Sequence, residues 1–154
     1  ASLAAVSDSD CAICIMHMQG EPQNMQYAPH YDNVLAEVGQ LLSERSARAM
    51  AAGIAAERIC IDPGYGFGKT VQHNLTLLAW QSKLQQAVGF PLLAGLSRKS
   101  TIGQLTGKPV EQRMAGSIGA ALVAAENGAR IVRVHDVAET VDALTVWGAA
   151  RRAR

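Results

Sequence analysis

The sequence predicts an α/β fold in which strand and helix alternate four times. Apolar runs at 12–16 (AICIM), 58–62 (RICID), 91–96 (PLLAGL) and 129–134 (ARIVRV) are short, near-continuous and bounded by Gly, Pro or polar residues. That is the pattern of strands buried on both faces. Each run is followed by a segment with apolar residues at three-and-four spacing, the period of an amphipathic helix. Gly53, Gly89 and Gly128 stand between a helical segment and the next run, where glycine accepts the left-handed conformation that closes a helix. Repeated βα order implies a parallel sheet with helices outside it. Two closures fit: an open doubly wound sheet, or part of a (βα)8 barrel. A whole barrel takes at least roughly 200 residues, so 154 residues would form a half of one.

In order along the chain, ASLAAVSDSD reads as the end of a helix, and CAICIM as the first strand. Cys11 and Cys14 form C-x-x-C, but residues three apart in a strand point to opposite faces and no helix begins at the first Cys. They read as core cysteines in a reducing compartment. The segment 31–52 places Val34, Leu35, Val38, Leu41 and Leu42 on one stripe. Segment 74–88 carries Leu77, Trp80, Leu84 and Val88. Segment 109–127 carries Met114, Ile118 and Leu122, with Pro109 suited to a first helical turn. The last helix opens at HDVAETVDAL, where Asp136 and Glu139 form an N-cap pair and Val137, Val141 and Leu144 the stripe. No linker or low-complexity tract interrupts the chain, so 1–154 reads as one domain.

At 49% hydrophobic and 18% charged residues the chain can build a core. A net charge of +1 lacks the basic surplus of a general nucleic-acid binder. No run approaches the roughly eighteen apolar residues of a membrane span, and the first residues lack a signal-peptide pattern. The expected location is the cytoplasm.

The stretch IDPGYGFGKTVQHN, residues 61–74, ends its glycine series in Gly68-Lys69-Thr70, like a phosphate-binding loop. The spacing fails. A Walker A loop needs glycine five positions before Gly68, and Pro63, which has no N–H, stands there. A tight strand-to-helix turn explains the glycines but not Asp62 at the end of an apolar strand.

In parallel βα folds ligands bind at the carboxyl ends of strands. All four ends are chemically loaded: MHMQGEPQNMQ, DPGYGFGK, GLSRKS and RVHD. The opposite connectors, AAGIAAER, AVGF and ENGA, are plain. Strand phase places Ile131, Arg133 and His135 on one face, so two donors converge as a cradle for phosphate. Asp62 shares its phase with Cys60; it can accept paired N–H bonds from an amino-heterocycle or form a turn before Pro63. If the third strand continues, Gly95, Ser97 and Lys99 share a phase, which puts Lys99 inside and Arg98 out. Met16, a flexible thioether at the first strand end, suits a flat ring or the core.

Together these four segments, in this order and spacing, resemble the dihydropteroate synthases, the pterin-binding barrel family of folate biosynthesis. The resemblance runs over essentially all 154 residues. It implies the C-terminal half of a TIM (βα)8 barrel, a partial pterin-binding domain over 1–154 without the first four units. It implies condensation of 6-hydroxymethyl-7,8-dihydropterin diphosphate with 4-aminobenzoate, releasing pyrophosphate, with Mg2+. By family likeness Met16, Asp62, Phe67, Gly95 and Lys99 belong to the pterin site. Arg133 and His135 hold the diphosphate. Phe67, Lys99 and Ser100 border the aminobenzoate site, where sulfonamides compete. Lys99, Arg133 and His135 carry the catalytic roles. No metal ligand is assigned to this half; the Mg2+ ligands are expected in the first. The family also implies homodimers through outer helices. A pterin-dependent methyltransferase half-barrel is the alternative enzyme, against which SRKS and MHMQG weigh. A non-catalytic fragment that only associates with a partner is the other alternative.

Overall fold

The computed structural model describes residues 2–25 and 27–153; residues 1, 26 and 154 lie outside it, among them the last residue of MHMQGEPQNMQ. Four short strands are separated by helices: β1 (Ile13–Met16), β2 (Ile59–Asp62), β3 (Leu93–Ala94) and β4 (Ile131–Val132). The helices are α1 (Ser2–Ser7), α2 (Val34–Ala51), α3 (Val71–Ala79), α4 (Gln81–Val88), α5 (Ser100–Thr106), α6 (Met114–Glu126) and α7 (Val137–Arg152).

Strands β1 and β2 pair in parallel, with Ile13 opposite Ile59 and Met16 opposite Asp62. Strands β3 and β4 do the same, with Leu93 opposite Ile131. A parallel bridge from Ile61 to Leu92 joins the two pairs, with Ile61 N–H donating to Pro91 O at 2.9 Å. Spatial order therefore follows chain order. A doubly wound sheet reverses its strand order at a switch point; from β1 to β4 there is no reversal, as in a barrel wall.

The core lies between sheet and helices. Ile61, Leu92 and Ala94 pack with Val38, Leu42, Leu77, Leu84 and Ala124, all at most 2% exposed. The alternate residues of β1 and β2, Cys14, Met16, Cys60 and Asp62, take the opposite face. Gly53, Gly89 and Gly128 do adopt positive φ after their helices.

Five expectations need correction. Cys11 and Cys14 are exposed rather than core residues, because β1 turns Cys14 to the open face beside Cys60. The segment 74–88 is two helices broken at Trp80, which is 49% exposed and carries Lys83 Nζ 4.0 Å above its ring. In α6 the buried side is made of small residues, Ser117, Ala120, Ala121 and Ala124, which let the helix approach closely, while Met114 is exposed. In α7 the buried residue is Thr140, and Val137 and Val141 face outward. The Asp136–Glu139 cap also fails to form: no side chain caps α7, since the Asp136 carboxylate is engaged by Arg98.

Candidate active site

Strand β2 ends at Asp62, and the chain must turn within a few residues to begin α3 at Val71. Gly64, Gly66 and Gly68 make this turn at φ 69°, 79° and 63°. At two of them close approach also forbids a side chain. A Cβ on Gly64 would stand 1.8 Å from His17 O, and one on Gly68 2.5 Å from Gln19 O. The turn thus lies backbone to backbone on the segment that follows β1. It is pinned by Asp62 Oδ1, which accepts from Gly64 N–H at 2.7 Å, and by Asn74 Oδ1, which accepts from Gly66 N–H at 2.8 Å. The Tyr31 hydroxyl donates to Gly68 O at 2.9 Å.

Lys69 settles the phosphate-loop question. It is 4% exposed, its Nζ lies 2.9 Å from His17 Nδ1, and it donates to the carbonyls of Gly64 and Phe67 at 3.0 Å each. All three positions around Nζ are therefore occupied inside the protein, and none is left for a phosphate.

At the third strand end the expected continuation through Gly95, Ser97 and Lys99 does not occur. The ladder stops at Ala94, Arg98 reverses the chain at φ 58°, and α5 starts at Ser100. Lys99 still reaches inward, through the turn rather than by strand phase. Its Nζ donates to Tyr65 O and stands 4.5 Å from the centre of the Phe67 ring. Ser100 is exposed.

At the fourth strand end Arg133 N–H donates to Ala94 O at 2.9 Å and prolongs the ladder. The Arg133 guanidinium lies close against Gly95, where a Cβ would be 3.1 Å from Nη2. Among the described residues no hydrogen bond or ion pair engages that guanidinium. His135 is held by Ser97, whose Oγ accepts the His135 backbone N–H at 3.2 Å and lies 3.0 Å from Nδ1. The hydroxyl hydrogen can then go to Nδ1, the tautomer that leaves an N–H on Nε2. Arg98 and Asp136 form a two-pronged pair at 2.5 and 3.2 Å, which ties the third strand end to the fourth.

Gly95, Ser97, Arg98, Lys99, Arg133 and His135 thus line one cavity of about 600 Å³, and Arg98, which strand phase would put outside, is among them because the chain turns at Arg98 rather than continuing as a strand. Asp62 and Phe67 do not line it; the Phe67 ring faces Lys99, and Asp62 acts on Lys99 through its charge. Met16 sits beside Asp62 in the sheet register, but its side chain lines a separate groove of about 350 Å³ with Cys14, Arg45 and Arg48. Ser100 lines neither. Sequence reading missed His17, Lys69, Asn74 and the Arg98–Asp136 pair. The alternating glycines were the available signal: a turn that runs through positive φ strands carbonyls and N–H groups, which buried side chains must satisfy.

Burial dominates the electrostatics. It raises the Asp62 carboxyl above its ordinary range, opposed by the Gly64 N–H and the charges of Lys99, Arg133 and Lys69. It lowers Lys99 to about 8 and Lys69 to about 7. His17 falls to about 4, through burial and then the charges of Lys69 and Arg45. The arrangement presents an unpaired guanidinium, a half-desolvated ammonium and a buried carboxylate at one end of one sheet. It suits a ligand with a hydrogen-bonding edge and an anionic group.

Comparison with known proteins agrees with this chemistry. The chain is 54% identical to a dihydropteroate synthase of Neisseria meningitidis serogroup C over 142 residues, 92% of this chain and 50% of that protein. It superposes on the Stenotrophomonas maltophilia dihydropteroate synthase, solved with imidazole in the active site, with a TM-score of 0.93 at 50% identity, covering 97% of this chain and 57% of that one. The Xanthomonas albilineans enzyme in complex with 7,8-dihydropteroate gives 0.90 at 52% identity, covering 97% and 54%. The chain therefore spans about half the length of the curated relatives it matches. The family described as pterin binding enzymes matches residues 1–135, which include every strand, the Asp62 turn and the Lys99–Arg133–His135 cavity. The chain belongs to that family.

Proposed function

We propose that residues 1–154 form the C-terminal half, four βα units, of a TIM-barrel dihydropteroate synthase. The reaction joins 6-hydroxymethyl-7,8-dihydropterin diphosphate to 4-aminobenzoate. The observation that carries this reading is the Arg133 guanidinium, unpaired and seated on Gly95 in the same cavity as His135 and Lys99.

Each residue has a role that its surroundings support. Asp62 keeps Oδ1 on Gly64 and turns its other oxygen to the amino-pyrimidine edge of the pterin. Lys99 hydrogen-bonds the ring, and Met16 moves from its groove to pack on it. Arg133 and the Nε2 hydrogen of His135 clamp the diphosphate. As the carbon–oxygen bond to that group breaks, negative charge grows on the leaving oxygens, where positioned cations and donors lower the barrier. The aniline nitrogen of 4-aminobenzoate, lodged by Phe67, Lys99 and Ser100, attacks the exposed methylene and later loses a proton. Sulfonamides compete there.

Mg2+ belongs to the same reading. Its ligands would lie in the first four units; among the described residues no three His, Cys, Asp or Glu side chains gather into a site for it. Homodimers through the outer helices and a cytoplasmic location complete the proposal. Among the described residues no helix is long and apolar enough to cross a membrane.

A chimera tests the reading. The first half of the Neisseria meningitidis relative is joined to this chain, and dihydropteroate formation is followed with both substrates and Mg2+. Turnover by the chimera and none by the 154-residue chain alone is expected. A folded but inactive chimera refutes the assignment.

A further inference from the structure

We propose that Lys69 is a positioning residue whose buried Nζ locks the turn that carries Phe67 and so sets affinity for the aminobenzoate. The inference rests on the synthase reading for the identity of that substrate, and on geometry for the lock.

Lys69 Nζ reaches three acceptors on two segments. Gly64 O and Phe67 O, both at 3.0 Å, belong to the turn, and His17 Nδ1, at 2.9 Å, belongs to the segment after β1. Phe67 N–H already donates to Gly64 O at 3.0 Å, so Nζ closes the turn across the same carbonyl. Its site is buried: Lys69 and His17 are 4% and 3% exposed. His17 can serve as acceptor only when Nδ1 carries no proton, and its lowered basicity keeps it neutral at pH 7. The Phe67 ring has no such anchor of its own; it faces the Lys99 ammonium.

The pterin-reading carboxylate is held differently. Asp62 lies in the β1–β2 ladder opposite Met16, and its carbonyl accepts from His17 N–H at 3.0 Å. Sheet pairing fixes the Asp62 backbone, although its Oδ1 accepts from Gly64 N–H in the turn, whereas the Phe67 backbone depends on the turn alone and on Lys69. Removing the Lys69 amino group should therefore loosen the aminobenzoate site more than the pterin site, which Phe67 also borders but which the β1–β2 ladder holds through Asp62. A merely structural lysine would weaken both together.

Lys69→Met keeps the length of the stem and deletes the amino group. In the chimera, the KM for 4-aminobenzoate is expected to rise about tenfold or more, with kcat and the KM for the pterin diphosphate within about threefold. Tyr31→Phe, which frees only Gly68 O, is expected to move the same constant in the same direction by less. Equal rises for both substrates, or no rise, overturn the proposal. Should Lys69→Met misfold, the Tyr31→Phe result decides by the same criterion. Amide hydrogen exchange in the 154-residue chain gives a separate readout. Lys69→Met is expected to speed exchange at Gly66 and Phe67 and leave β2 unchanged; unaltered exchange at the turn also overturns it. An inactive wild-type chimera would count against the synthase reading, and the exchange measurement would still decide the lock.

Discussion

Acid should destabilise this fold through His17, and the size of the effect can be worked out. His17 takes up a proton near pH 4 in the folded chain and near 6.5 when unfolded. The cause is first burial, at 3% exposure, and then the neighbouring cations Lys69 and Arg45. Between those two pH values the unfolded state binds more protons, so stability falls as pH drops from 6.5 towards 4. A drop from 6.5 to about 4 corresponds to roughly 3 kcal/mol in full, of which roughly 2 kcal/mol is lost by pH 4.5. Asp62 works the other way. Its carboxyl is raised, so the folded state gains its proton first and acid relieves part of its burial cost. A variant comparison separates the two. Urea unfolding at pH 7 and pH 4.5 should be measured for the chain and for His17→Gln, at equal protein concentration. Glutamine retains an acceptor for Lys69 but cannot titrate. The chain should lose roughly 2 kcal/mol more than His17→Gln between the two pH values. Equal losses would show that the His17 proton is not excluded by folding, and the neutral-acceptor account of the Lys69 lock would fall with it.

Other perturbations address single contacts. Asp62→Asn, in the chimera, replaces an acceptor oxygen with an NH2 and should lower pterin affinity by up to roughly 10⁴-fold; unchanged affinity would mean that Asp62 only shapes the turn. Arg133→Ala should weaken the diphosphate substrate and pyrophosphate by about 1.5–3 kcal/mol and the bare pterin alcohol by less, and equal losses in calorimetric titration would contradict the clamp. Gly64→Ala forces a methyl to 1.8 Å from His17 O at φ 69°; it should cost at least about 2 kcal/mol in thermal unfolding, and a Tm within a degree of the parent would show that the two loops can part. The 154-residue chain should self-associate at micromolar concentration, since the outer edges of β1 and β4 are unpaired among the described residues and Val137, Val141 and Val146 are 59%, 54% and 71% exposed. Light scattering from a monodisperse, cooperatively folded 16.3 kDa species would refute that.

What the sequence disclosed and what it hid follow from the range of the forces involved. Strands and helix stops were legible because they depend on local composition: apolar runs between breakers, and Gly53, Gly89 and Gly128 at positive φ. The convergence of Lys99, Arg133 and His135 was legible because a parallel βα chain brings all its strand ends to one face. The face each helix buries was not. Large apolar residues suggested Met114 and Val137, but α6 packs through alanines and α7 turns on Thr140, because close helix approach rewards small side chains as much as large ones reward burial. Nor were the buried partners legible. Lys69 resembled the lysine of a phosphate loop by its neighbours in sequence. Only the fold brings His17, 52 positions away, within 2.9 Å of its Nζ. Asp136 is the same kind of case. Its spacing to Glu139 marked a helix cap, yet the carboxylate turns to Arg98, 38 residues earlier, because a guanidinium offers two charged donors where a helix N-terminus offers backbone N–H groups. That exchange has a consequence for the site. The cap is given up, and the bond gained joins the loop bearing Lys99 to the loop bearing His135, so two halves of one cavity are held in register by a pair whose Arg98 itself lines that cavity.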